Sequence, residues 1–172
     1  GNNTAIGYRA LKDLDAGATG NNTAVGVDAG TKLSTGTKNT IVGAEAGDAL
    51  TTGITNVAVG YQALSTDTAG KRSVAIGNAA LFTQNFNTAT DTYNVAVGEA
   101  AGLSITTARF NTLIGGLSGD ALTDGQENVS VGYNSLGAET EGHRSVAIGD
   151  GALASQNGVD GNVYNVAVGF EA

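Results

Sequence analysis

Apolar and polar positions alternate in short bursts along the chain, and the bursts repeat. The clearest is Ser73-Val74-Ala75-Ile76-Gly77, and related segments end at Gly7, Gly26, Gly43, Gly60, Gly98, Gly115, Gly132, Gly149 and Gly169. The residue before each of these glycines is always Val or Ile, the one two before is mostly Ala or Ser, and the one three before is Thr or Val. This is period-2 alternation, β-branched on one face and small on the other, which predicts a short strand. Successive glycines are 19, 17, 17, 17, 21, 17, 17, 17 and 20 residues apart. A fixed period of this size marks a repeat architecture in which each unit packs on its neighbours. A second period lies above the first: Gly47-Asp48-Ala49-Leu50-Thr51 returns as Gly119-Asp120-Ala121-Leu122-Thr123, and Arg72-Ser73-Val74 as Arg144-Ser145-Val146, so four units form a block of 72 residues.

Positions around the strand are also fixed. Four before the Gly stands Asn, or Ser at Ser73 and Ser145; three after it stands Ala or Ser; and a second Gly precedes most strands. Apolar residues do not recur at helical spacing, and glycine interrupts every longer window, which argues against helices. The expected fold is therefore all-β: a parallel β-solenoid of about ten 17-residue rungs stacked about 4.8 Å apart, running as one continuous array through residues 1–172 as a slice of a longer fibre. Asn at a fixed corner would form an amide ladder along the stack. In this reading Val57, Val59, Val74, Ile76, Val95, Val97, Val129, Val131, Val146 and Ile148 stack inside as the core. Ile41 and Leu113 replace the small residue of the other face, which makes them the candidate subunit interface of an oligomer.

Composition narrows the chemistry. The 172 residues include no Cys and one His, His143, so a thiol nucleophile is excluded and no His-based catalytic or metal set can be assembled within one chain. No phosphate-cradling Gly-rich motif occurs. The acid pairs Asp13/Asp15 and Glu139/Glu141 read as solvated corner charges rather than a calcium or glycosidase site. No enzymatic activity, cofactor or metal is expected. The formal net charge of −8 argues against nucleic acid or an anionic membrane as partner. Asn2, Asn21 and Asn128 begin Asn-x-Ser/Thr sequences, a frequent chance match in so Asn- and Thr-rich a chain. The longest gaps come at every fourth step, at Lys12 through Asn21, Phe82 through Tyr93 and Ala154 through Tyr164. They are expected to protrude, and their aromatic residues Phe86, Tyr93 and Tyr164 form the candidate recognition loop. Arg72 and Arg144 are expected to tie to acids of neighbouring corners.

The segments Asn56-Val57-Ala58-Val59-Gly60 and Ser73-Val74-Ala75-Ile76-Gly77, each with a small residue three later, resemble the head repeats of trimeric autotransporter adhesins. Gly1-Asn2-Asn3-Thr4-Ala5-Ile6-Gly7-Tyr8-Arg9-Ala10-Leu11 is similar to repeats of phage tail-fibre-type proteins. The resemblance spans the chain and implies a left-handed β-roll, wound as a homotrimer. It implies a non-enzymatic structural or attachment fibre, extracellular, on a cell surface or a virion, with self and a host surface glycan or protein as partners. The family's repeat is typically shorter than 17 residues, so the extra residues belong in the corners. The alternative reading is a monomeric ligand-binding solenoid such as an ice-binding protein, which would present a regular Thr-x-Thr face.

Overall fold

A computed structural model describes residues 1–15, 20–158 and 161–172. The ten repeated segments are three-residue strands: β1 (Thr4–Ile6), β2 (Thr23–Val25), β3 (Thr40–Val42), β4 (Val57–Val59), β6 (Val74–Ile76), β8 (Val95–Val97), β9 (Thr112–Ile114), β10 (Val129–Val131), β12 (Val146–Ile148) and β14 (Val166–Val168). They pair in chain order into one parallel sheet. Register is residue on residue, with Ala58 on Ile41 and on Ala75. The result is a parallel β-solenoid of nine turns between ten strands, one turn fewer than ten rungs would give. There is no helix among the described residues.

The backbone between strands also bonds to the turn above. Gly30 N–H donates to Ala46 O, Gly47 to Ala63 O, Leu64 to Ala80 O and Leu81 to Ala101 O, a second ladder on the opposite side of the coil. Corners are made by single left-handed residues. Thr55, Arg72, Tyr93 and Phe110 hold φ near +60° just before the strands, and Gln62, Ala79 and Ala100 do so just after them. The strand-ending glycines are obligatory for a different reason. Gly60 has φ +133°, and a Cβ there would run into the carbonyl oxygen of Gly77 one turn on.

The strand faces are the reverse of the sequence expectation. The middle residue points inward: Ala24, Ile41, Ala58, Ala75, Ala96, Leu113, Ser130 and Ala147 are fully buried. The β-branched residues point out. Val57, Val59, Val74, Val95, Val97, Val129, Val131 and Val146 are partly exposed, and Ile76 and Ile148 are exposed at 37% and 39%. They do not form the core, and Ile41 and Leu113 do not reach the surface where a subunit could meet them. The core is built instead from the middle Ala, the Ala or Ser three after the Gly, and leucines of the opposite wall such as Leu33, Leu50, Leu64 and Leu81. Those leucines already fill the narrow interior, so only a small residue fits opposite them.

Ile41 and Leu113 are the exceptions that obey this rule. Four residues after the strand Gly, most turns carry Leu (Leu11, Leu64, Leu81, Leu136, Leu153), whereas four carry Gly (Gly30, Gly47, Gly102, Gly119). A Cβ on Gly30 would lie 2.9 Å from Ile41 Cδ1, and one on Gly47 3.5 Å from it. Leu113 stands in the same way against Gly102 at 2.8 Å and Gly119 at 2.9 Å. Ile41 and Leu113 share the space that the missing leucines leave with the wall residues Leu50 and Leu122, whose Cδ1 atoms lie 2.9 Å and 2.8 Å from a Cβ at Gly47 and Gly119, which keeps the packing dense.

Candidate functional surfaces

The Asn corner forms as expected, with amide-to-amide bonds such as Asn39 Nδ2 to Asn22 Oδ1 at 3.1 Å, and a side-chain-to-backbone ladder runs beside them. Asn39 N–H donates to Asn22 Oδ1, Asn56 N–H to Asn39 Oδ1 and Ser73 N–H to Asn56 Oδ1, each at 2.9 Å. Nδ2 of Asn22, Asn39, Asn56, Asn111 and Asn128 in turn donates to a glycine carbonyl of the second corner, as Asn56 does to Gly70 O, while Asn94 donates to Ala108 O. Asn128 belongs to this buried ladder, with Nδ2 on Gly142 O, so its glycosylation sequence is inaccessible, whereas Asn2 and Asn21 are exposed.

The ladder breaks where Ser replaces Asn, and a buried polar plug fills each break. Gln84 Nε2 donates to Ser73 Oγ at 2.9 Å and to Asp67 Oδ2 at 2.6 Å, and its Oε1 accepts from Asn94 Nδ2 at 2.9 Å. Asp67 also accepts from Gly70 N–H and Phe86 N–H. One block later Gln156 bridges Ser145, Glu139 and Asn165 in the same way. Burial pushes the Asp67 carboxyl above the usual carboxylate range, against the hydrogen bonds from Gln84, Phe86, Gly70 and Ala69 that favour its anion. The sequence signal was the replacement of the wall leucine (Leu33, Leu50) by Asp67 and Gln84, and of Leu122 by Glu139 and Gln156. Glu139 is therefore not the solvated corner charge expected from the sequence: it is buried in the plug, whereas Glu141 is exposed.

The long fourth gaps fold partly onto the coil. In one, β5 (Gly70–Lys71) pairs with β7 (Thr90–Asp91); in the next, β11 (Gly142–His143) pairs with β13 (Gly161–Asn162). Asn87, Thr88 and Ala89 are exposed. Phe86 is 8% exposed and lies under the loop, so its ring is not presented for recognition. The earliest long gap, Lys12 through Asn21, includes residues 16–19, and the last includes 159–160; both lie outside the described residues.

Tyr93 and Tyr164 stand on the surface, but at a corner of the coil. Tyr93 stacks on Phe110 of the next turn at 5.8 Å, with the Arg72 guanidinium over its other face at 5.5 Å. Arg144 covers Tyr164 at 5.8 Å. Both arginines make the expected ties to neighbouring corners: Arg72 to Asp91, and Arg144 to Glu127 at 2.7 Å. Phe110 escaped sequence reading because its partner is one turn away. So did a second exposed aromatic corner, the residue just after the strand Gly, at Tyr8, Tyr61, Tyr133 and Phe170.

The outer face of the ten-stranded sheet presents the two end positions of every strand. Its two ranks run Thr4, Thr23, Thr40, Val57, Val74, Val95, Thr112, Val129, Val146, Val166 and Ile6, Val25, Val42, Val59, Ile76, Val97, Ile114, Val131, Ile148, Val168. Neither rank contains a charge. The chain matches no protein-family model, no curated protein and no solved structure.

Proposed function

We propose that this chain is a non-enzymatic structural or attachment fibre segment that works as a homo-oligomer, a left-handed homotrimer in our reading, with the outer sheet faces of its copies packed together. The observation that carries this reading is the outer face itself: two uncharged ranks of Val, Ile and Thr along ten strands, with Ile76, Ile114 and Ile148 exposed. An uncharged face of this length, rich in Val and Ile, is characteristic of an interaction surface. A further copy of the same chain is the occupant that fits best, since its strands repeat at the same spacing and its residues interlock turn by turn. The absence of charge on this face keeps the −8 formal charges of neighbouring copies away from the contact.

The resemblance to autotransporter adhesin heads and tail-fibre-type repeats supports an extracellular place, on a cell surface or virion. A host surface glycan or protein would then meet the outward corners, where Tyr61, Tyr133 and Tyr164 are accessible. Light scattering on the purified segment tests the assembly: three-chain mass is expected, and Ile76→Asp or Val59→Asp should reduce it to one-chain mass with the β spectrum intact. One-chain mass for the unaltered segment, combined with thermal hysteresis of ice growth, would transfer the outer face to the ice-binding reading.

A further inference from the structure

The chain contains one Asn-Gly pair, Asn157-Gly158, and it sits on the buried carboxylate of the second polar plug. Gly158 N–H donates to Glu139 Oε1 at 3.0 Å and Oε2 at 3.1 Å. The Asn157 side-chain carbonyl, Oδ1, accepts a 3.0 Å bond from Thr140 Oγ1. Asn157 is exposed, whereas Glu139 is fully buried. We propose that Asn157 is a self-modification site, deamidating through a succinimide formed with the Gly158 nitrogen while Glu139 accepts the proton and Thr140 polarises the carbonyl.

The steps balance without any co-reactant except water. The Gly158 N–H, which must lose its proton for the nitrogen to attack, is already paired with the Glu139 carboxylate that accepts it. The N–Cγ bond forms as the proton passes to Glu139, and the Thr140 hydroxyl holds the developing oxyanion. The Cγ–Nδ2 bond then breaks, the proton returns to the leaving nitrogen, and ammonia departs. Water opens the ring to Asp or isoaspartate at position 157. Glycine is the residue that obstructs this closure least, having no side chain at the attacking residue.

The preceding block supplies an internal control. Thr68 Oγ1 donates to Asn85 Oδ1 at 3.3 Å, and Phe86 N–H donates to Asp67 Oδ1 at 3.1 Å. The arrangement is similar, though Thr68 Oγ1 bonds Phe86 O more closely at 2.8 Å, and the residue after the Asn is a buried Phe, which hinders attack at Asn85. The two blocks thus carry the same turn in a reactive and a resistant form.

Ageing the purified chain at neutral pH and 37 °C, with peptide mapping and enzymatic isoaspartate detection, tests this. Asn157 is expected to convert about a hundredfold faster in the folded chain than in a free peptide of the same sequence, the scale of general-base assistance, while Asn85 stays intact. Glu139→Gln should slow Asn157 by about the same factor. Thr140→Val, which keeps shape and leaves the buried plug untouched, should slow it about tenfold, the worth of one hydrogen bond. Circular dichroism checks that both variants are folded. If Asn157 converts no faster in the folded chain than in the peptide, or if Thr140→Val leaves the folded rate unchanged, the assignment is wrong and the bond to Glu139 restrains the turn instead.

Discussion

Ile41 is a single residue that two turns depend on, since it fills the space above both Gly30 and Gly47. Ile41→Ala is expected to destabilise the chain by about 2–5 kcal/mol in chemical denaturation, the usual cost of emptying a fully buried site. The packing rule makes a sharper claim. Adding Gly30→Leu to Ile41→Ala should recover part of that loss, because Ile41 Cδ1 is the atom nearest a Cβ at Gly30 and Leu64 already holds Leu at the equivalent position with the same left-handed backbone. A double-mutant cycle measures the coupling, and additive effects would contradict the size-compensation rule. Gly60→Ala tests the other constraint. Its φ of +133° and the nearby Gly77 carbonyl leave no place for a methyl group, so a loss of about 2–4 kcal/mol is expected.

Each turn is an element with two hydrogen-bond ladders and one polar corner, and the polar plugs are where its pH response lies. Asp67 has a folded pKa above its unfolded value of 3.8. The folded state therefore holds more protons than the unfolded state between those two values. Its contribution falls as pH rises through that window and is most favourable below it. Asp124 and Glu127 act in the opposite sense, since hydrogen bonds from Thr107 and Thr106, and from Arg144, lower theirs. Thermal denaturation of the wild type and Asp67→Asn across acidic to neutral pH isolates the Asp67 share. The stability of the wild type relative to the variant should decrease with rising pH. A relative stability that increases would mean that the hydrogen bonds from Gln84, Gly70 and Phe86 outweigh desolvation.

At the scale of the molecule, the inward Ala and the outward Val and Ile separate stability from the proposed assembly. Val59→Asp alters a partly exposed position, so the single chain is expected to keep its fold and lose the proposed association. Ala58→Asp on the same strand would bury an unpaired charge and cost several kcal/mol. Denaturation midpoints and solution mass for the two variants distinguish these effects. If both variants unfold, the outer face carries folding stability as well as the proposed contact.

The sequence by itself determined the strands, the 17-residue turn, the parallel stacking and the Asn corner, because each depends on residue spacing along the chain and spacing is preserved on folding. It also located the longer fourth steps and the arginine ties, which repeat at 72 residues. It could not determine which strand face is inside. Alternation assigns Val57 and Val59 to one side and Ala58 to the other, and a β-branched face serves equally as core or as contact. The opposite wall decided it: Leu64 and Leu81 occupy the interior, leaving room for Ala58 and Ala75 but not for valines. The plugs and the stacked Tyr93–Phe110 pair were equally hidden. Gln84 with Asn94 and Tyr93 with Phe110 become neighbours only when turns stack, and the closing of each turn alone makes Asp67 and Glu139 buried groups rather than surface acids.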